Sequence, residues 1–451
     1  MLFDTIIAPA TAPGVSAIAV IRLSGPEAIS LCNDVFKGKN LLEVDANTIH
    51  FGTINDGDQL IDEVLVSIFK SPHSFTKEDS IEISTHGSMY IVEKVIQLLI
   101  RNGARSAEPG EFTRRAFLNG QFDLAQAEAV ADLIHSDSEA AHQAAIHQMR
   151  GGFSEEIKAL RDQLIHFASL VELELDFGEE DVEFADRDDL KLLVNNLLAV
   201  IIRLANSFDM GNVIKEGIPI AIVGKPNAGK STLLNALLNE EKAIVTEIAG
   251  TTRDFIEDEL IIEGVKFRFI DTAGLRDTED KVESIGIARS REKMAEASLV
   301  LFIYDTREDS PAGIEEELDK LKKLDIPYLI LGNKIDLVDD LSSLPSRDDT
   351  MYISAQDKDK VDALRIRLIE LVHLDGYKKG DTVVTNIRHY ESLIRSRESL
   401  EKVLSGLGQN ITGDFLAMDI RQSLHHLGLI VGEVTTDDLL ESIFSRFCIG
   451  K

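Results

Sequence analysis

Apolar residues change their spacing along the chain, and each change marks a structural block. From residue 3 to about 118 they fall in short β-branched runs. Residues 16–23 (SAIAVIRL), 60–69 and 80–84 read as strands, bounded by the turn pairs Pro13-Gly14, Gly25-Pro26, Asp56-Gly57 and Pro109-Gly110. One helix is predicted there, over 89–102, so the block reads as α+β. From Asp123 the spacing becomes helical. Asp123 and Gln126 have the spacing of a capping box, Ala-rich helix formers continue to about 150, and Gly151-Gly152 interrupts them. Further helices are predicted over 154–176 and 187–206.

Between about 214 and 375 the rhythm changes again. Apolar strands at 218–223, 266–270, 299–304, 328–331 and 351–353 alternate with helical stretches, as in a parallel sheet covered on both faces. Helical spacing returns from about 380 to 445. Neither helical block has enough apolar surface to bury its stripes alone, so the two are expected to pack together around an inserted α/β unit.

Composition narrows the class. The 451 residues include 78 acidic and 47 basic side chains, a net charge of −31. That balance argues against coating nucleic acid by broad phosphate neutralisation. Between residues 171 and 190 ten acidic residues stand against one basic, which reads as a solvated acidic face. Cys32 and Cys448 are the only cysteines, so neither a disulfide scaffold nor a zinc module is expected. No uninterrupted apolar run approaches the ~18 residues of a bilayer span, and the N-terminus has no basic residue before Arg22. A cytoplasmic enzyme without a membrane partner is the expectation.

The strand at 218–223 runs into Gly224-Lys225-Pro226-Asn227-Ala228-Gly229-Lys230-Ser231, a match to G-x-x-x-x-G-K-[ST]. Such a loop converges backbone N–H groups on phosphate at a helix N-terminus, with Lys230 reaching the β/γ phosphates and Ser231 ligating Mg²⁺. Asp271-Thr272-Ala273-Gly274 ends the next strand, where Asp271 can hold Mg²⁺ through water and the Gly274 amide can sense the γ-phosphate. Asn333-Lys334-Ile335-Asp336 ends another. The Asp336 carboxylate accepts two hydrogen bonds that guanine can donate and adenine cannot, a discrimination of perhaps ~10⁴-fold. Ser354-Ala355 can offer a backbone N–H to guanine O6. Four elements in this order specify GTP.

Leu275 stands where Ras-type enzymes place the glutamine that orients water. Unaided sites of this kind turn over at about 10⁻⁴–10⁻² per second, and a cation at the transition state contributes ~10³–10⁵. Asn227, through a carbonyl oxygen toward a monovalent cation, and Glu283 are the local candidates to compensate.

The runs GKPNAGKSTLL (224–234), AIVTEIAGTTRD (243–254), DTAGLR (271–276), VESIG (282–286) and FCIGK (447–451) closely resemble the MnmE, or TrmE, family of tRNA modification GTPases. So do Asp4-Thr5-Ile6, Arg22-Leu23-Ser24-Gly25 and PGEFTRRAFLNGQFDLAQAEA (109–129). The resemblance spans the whole chain. It implies a multidomain α/β protein: an N-terminal α+β folate-binding and dimerisation domain (1–120), a discontinuous all-α domain (121–213 and 378–451) and an inserted Ras-like P-loop GTPase domain (214–377).

The resemblance also implies a nucleotide site built from Asn227, Ala228, Gly229, Lys230, Ser231 and Thr232; from Thr246, Glu247, Ile248, Ala249, Gly250, Thr251 and Thr252; from Asp271, Thr272, Ala273 and Gly274; and from Asn333, Lys334, Asp336, Ser354 and Ala355. Matching positions would place K⁺ on Asn227, Thr246, Ile248 and Thr251, and Mg²⁺ on Ser231 and Thr252, with Glu283 as the water-positioning acid. A formyl-tetrahydrofolate-type donor would meet Arg22, Glu82, Gln121 and Lys451. Gln121 stands where the family pattern has lysine, and His86-Gly87-Ser88 where His-Gly-Gly is usual. Cys448 is either an ordinary tail cysteine or a thiol in the modification chemistry. A homodimer, an FAD-containing partner in a heterotetramer, and tRNA complete the implied assembly. The rivals are a ribosome-assembly GTPase, a non-hydrolysing GTP-dependent scaffold, and a folate-binding transfer module with a vestigial nucleotide site.

Overall fold

A computed structural model describes residues 4–176, 187–238, 258–270, 297–323, 326–338, 340, 344, 349–371, 382–409, 411, 413–445 and 447–450. The chain forms two compact units, one from 1–135, 145–202 and 391–451, the other from 136–144 and 203–390.

The first unit is built on a seven-stranded sheet in the order β3-β4-β5-β6-β2-β1-β7. The strands are β1 (Ile6–Pro9), β2 (Ser16–Ser24), β3 (Phe36–Lys37), β4 (Thr48–Asp56), β5 (Gln59–Phe69), β6 (Ser80–Gly87) and β7 (Arg105–Ser106). Strand side chains alternate between faces, so each strand divides its residues between core and solvent. Val64, Val66 and Ile68 of β5 and Ile81 and Ile83 of β6 are buried with Leu31 of α1 (Ala28–Val35) and with Val95 and Leu99 of α2 (Met89–Arg101). The opposite face keeps Ile18, Ile49, Phe51 and Leu65 exposed.

Helices follow: α3 (Glu111–Leu118), α4 (Leu124–His135), α5 (Glu139–Met149), α6 (Gly152–Asp176) and α7 (Arg187–Asn206), then α12 (Ile387–Gly408), α13 (Gly413–Val431) and α14 (Asp437–Phe444). The predicted capping box at the start of α4 is present. Gln126 N donates to Asp123 Oδ1 and Asp123 N to Gln126 Oε1, both at 3.0 Å. The helix expected to run on to 150 instead breaks after His135, because Ser138 Oγ accepts from Ala141 N and starts a new one. Helix α13 packs along α6. Leu440 and Phe444 of α14 are buried with Leu124 and Ala127 of α4, and Phe447 lies beside them.

The second unit holds a six-stranded sheet in the order β13-β12-β11-β8-β10-β9. Strands β8 (Ile218–Val223), β10 (Val265–Ile270), β11 (Leu299–Asp305), β12 (Tyr328–Asn333) and β13 (Thr350–Tyr352) pair in parallel, and β9 (Asp258–Ile262) is antiparallel to β10. Helices α8 (Phe208–Glu216), α9 (Lys230–Leu238), α10 (Pro311–Lys322) and α11 (Lys358–Leu371) belong to this unit. Separate cores lie on the two faces, one with Leu233, Leu237 and Leu364, the other with Ile314, Leu318 and Leu321. All seven residues of β11 are buried, as a central parallel strand requires.

The stretch Arg187–Glu216 is long and apolar enough to cross a membrane by length and composition. Leu190, Val194, Leu197, Ile201 and Leu204 at helical spacing are buried, the pattern of a core-facing helix.

Candidate functional site

The phosphate loop joins β8 to α9, and its geometry excludes larger side chains at two glycines. A Cβ on Gly224 would lie 2.1 Å from the Ile303 carbonyl, and one on Gly229 would lie 2.1 Å from Asn333 Nδ2. Gly229 also has φ +102°, and Asn227 has φ 64°. A loop wound this tightly turns its amides toward the start of α9, where backbone N–H groups and the helix dipole favour an anion. Lys230 Nζ folds back on the Gly224 and Lys225 carbonyls at 2.7 and 2.8 Å. Burial pushes its pKa below the usual lysine value. These donors suit a polyphosphate, and Ser231 lies in the first turn of α9.

The side of the site at the ends of β12 and β13 is assembled by Asn333, 2% exposed at the end of β12. Its Nδ2 donates to the Ala228 carbonyl at 2.8 Å, and its Oδ1 accepts from Ala355 N at 3.0 Å. One side chain therefore fixes the phosphate loop to the Ser354-Ala355 segment. Lys334 follows with φ 67° and opens the short 3₁₀ helix Ile335–Leu337, which leaves Asp336 exposed. Ser354 is buried, and its hydroxyl accepts from Gln356 N at 3.3 Å.

The structure thus brings Asn227, Ala228, Gly229, Lys230, Ser231, Thr232, Asn333, Lys334, Asp336, Ser354 and Ala355 to the strand-end side of one sheet. Thr246, Glu247, Ile248, Ala249, Gly250, Thr251, Thr252, Asp271, Thr272, Ala273, Gly274, Glu283 and Lys451 lie outside the described residues.

A second constellation sits on the first unit's sheet. Arg22 and Glu82 are cross-strand partners on β2 and β6, with Arg22 Nη2 donating to Glu82 Oε1 at 2.7 Å. The Arg22 guanidinium lies 5.7 Å from the Phe75 ring centre and 5.8 Å from that of Phe112. Its Nη1 faces the Gly450 carbonyl at 3.5 Å, so the C-terminal tail reaches this pair. Gly110 and Gly450 permit that approach: added Cβ atoms would lie 2.5 Å from the Phe444 carbonyl and 2.0 Å from the Pro9 carbonyl. Gln121 is exposed in the turn after α3, and the next residue, Phe122, tilts its ring against Phe75 at 5.9 Å. Cys448 is exposed in the tail, whereas Cys32 is buried and its thiol is pushed up to about 12.

Sequence reasoning missed the charged network beneath this site. Arg115, 1% exposed, donates to Asp4 Oδ1 at 2.7 Å, to Glu111 Oε1 at 3.0 Å and to Glu78 Oε2 at 3.3 Å. Arg105 adds contacts to Asp4 and Glu111. Burial works against the charges of Asp4 and Glu111, but hydrogen bonds from these arginines outweigh it and hold both carboxyls below their ordinary values. The signal available was the pair of opposite charges Glu111 and Arg115 at i, i+4 on one helix face.

A parallel sheet whose strand ends carry G-x-x-x-x-G-K-S, N-K-x-D and S-A, in that order, defines the second unit as a Ras-like P-loop GTPase domain. The family model for the MnmE helical domain matches residues 124–448, and that for the GTP-binding protein TrmE N-terminus matches 5–121. A tRNA modification GTPase MnmE of Cytophaga hutchinsonii is 58% identical over 450 residues, covering 99% of this chain and 98% of that protein. Proteins of the same name from Christiangramia forsetii and from Bacteroides fragilis YCH46 are each 52% identical, covering 100% and 99% of this chain and 100% and 99% of those proteins. The chain belongs to the MnmE family of tRNA modification GTPases.

Proposed function

We propose that this chain is a homodimeric, potassium-stimulated GTPase that acts in tRNA modification. Its cycle would support, with an FAD-containing partner in a heterotetramer, carboxymethylaminomethyl addition at C5 of the wobble uridine. The observation that carries the reading is Asn333, which ties the phosphate loop to the guanine-side segment through two buried hydrogen bonds. A vestigial nucleotide site would have no reason to keep both, nor Lys230 desolvated at the head of α9.

In this reading Ser231 and Thr252 hold Mg²⁺, and Asn227, Thr246, Ile248 and Thr251 hold K⁺. The two cations supply positive charge at the phosphates when bound. Lys230 orients the β/γ phosphates, Asp336 reads the base and Glu283 positions water. The missing glutamine at Leu275 fits a site that relies on a cation. Arg22, Glu82, Gln121 and Lys451 are assigned to the formyl-tetrahydrofolate-type donor, and Cys448, exposed in the tail, is available to its chemistry.

The homodimer is supported by the open sheet face, where Ile18, Ile49, Phe51 and Leu65 are between 46% and 67% exposed. Apolar side chains clustered on one face mark a surface that another protein covers. The functional division is taken as 1–120, 121–213 with 378–451, and 214–377. GTP hydrolysis by the full chain, measured in KCl and in NaCl, tests this account. Turnover stimulated by K⁺ supports it, and absence of hydrolysis in KCl would leave the non-hydrolysing scaffold.

A further inference from the structure

The end of β11 and the turn that follows it hold two solvent-shielded carboxylates that none of the nucleotide motifs includes. Asp305 and Asp309 have side chains only 4% and 7% exposed, and each grips one lysine from a different nucleotide loop. Asp305 Oδ2 accepts from Lys334 Nζ at 2.7 Å, while its Oδ1 accepts from Arg307 N at 3.0 Å. Asp309 Oδ1 accepts from Lys225 Nζ at 2.6 Å, and its Oδ2 accepts from Asp305 N at 2.9 Å. The turn is further tied to the guanine side because the Thr306 amide and hydroxyl both donate to the Asn333 carbonyl, at 3.1 and 2.9 Å.

Lys334 is the strained point. Its backbone sits at φ 67°, ψ 33°, a left-handed conformation that a residue with a Cβ holds only where its surroundings over-determine it. The 3₁₀ turn carrying Asp336 starts from that residue, and Leu337 N donates to the Lys334 carbonyl at 3.0 Å. The direction of the Asp336 carboxylate therefore depends on Lys334 staying in place. Burial works against the Asp305 charge, but the bonds from Lys334 and Arg307 outweigh it, so the carboxyl stays ionised and the grip persists at neutral pH.

We infer that this turn is a clamp on the nucleotide: Asp305 is a positioning residue for guanine discrimination, acting through Lys334, and Asp309 positions the phosphate loop through Lys225. The inference rests on the reading of Asp336 as the guanine acceptor. It assigns separable roles to the two carboxylates, one felt at the base and one at the phosphates.

The test is calorimetric titration of the full chain with GDP and with IDP, which lacks the 2-amino group that Asp336 reads. Asp305→Asn should lower the GDP-over-IDP preference about tenfold, the scale of a charge-assisted hydrogen bond misaligned. Lys225→Gln, at an exposed side chain, should weaken GDP and IDP by the same factor and leave the preference intact. Should Asp305→Asn not fold, Lys334→Arg, which keeps the charge but alters the reach, carries the same prediction for the preference. A preference within about twofold of wild type in the Asp305 or Lys334 variant, whatever the change in thermal stability, overturns the clamp. Wild-type protein that binds GDP and IDP equally removes the reading of Asp336, and the clamp with it.

Discussion

At the scale of single residues, the nucleotide site depends on small groups in tight places. Gly229→Ala would add a Cβ 2.1 Å from Asn333 Nδ2 at a backbone φ that L side chains avoid. It should weaken nucleotide binding by at least about 30-fold, because strain and the displaced buried hydrogen bond together exceed about 2 kcal/mol. Equilibrium titration with a fluorescent GDP analogue reads this directly. Glu283→Ala should abolish hydrolysis with GTP affinity near normal, and an equal loss of binding would remove its role as the water-positioning acid. Gly224, Lys230 and Ser231 were legible because their spacing is local and lies between a strand and a helix. Asp305 was not, since in sequence it reads as the last residue of the apolar run LVLFIYD. Its partner belongs to another motif, and only the parallel pairing of β11 with β12 brings them together.

At the scale of elements, α3 and the N-terminal strand are held by charge rather than by apolar packing alone. A carboxylate whose folded pKa is depressed lends stability that is complete above its unfolded value and is lost as pH falls through the folded one. Asp4 and Glu111 are both depressed from ordinary values of 3.8 and 4.5. The thermal midpoint of the unit containing α3 should therefore hold steady above those values and fall as the pH drops below them. Glu111→Gln should lower the midpoint at neutral pH and flatten the acid limb, which scanning calorimetry across this range checks. Strands at 16–23, 60–69 and 80–84 and the helices at 89–102 and 187–206 were legible, because period-2 and period-3.6 spacing survive in the sequence. Helices α1 and α3 were not. Each spans eight residues, and α3 buries Glu111 and Arg115, which a polarity pattern assigns to solvent.

At the scale of the whole molecule, the balance of −31 excludes binding tRNA by overall charge and leaves local or borrowed surfaces to do so. The full chain alone should bind tRNA weakly and with a shallow salt dependence. A tight complex with a steep salt slope in a filter-binding titration would contradict that. The Arg22–Glu82 pair was legible only through family resemblance. Its approach to the tail is set by Gly110 and Gly450, whose importance lies in contacts between the two ends of the sequence. If GTP hydrolysis by this chain supports wobble-uridine modification, as proposed, nucleoside mass spectrometry of tRNA from cells lacking the protein should show loss of the carboxymethylaminomethyl group at C5, restored by the wild-type chain and not by Lys230→Ala. An intact modification in the deleted cells would overturn the proposal.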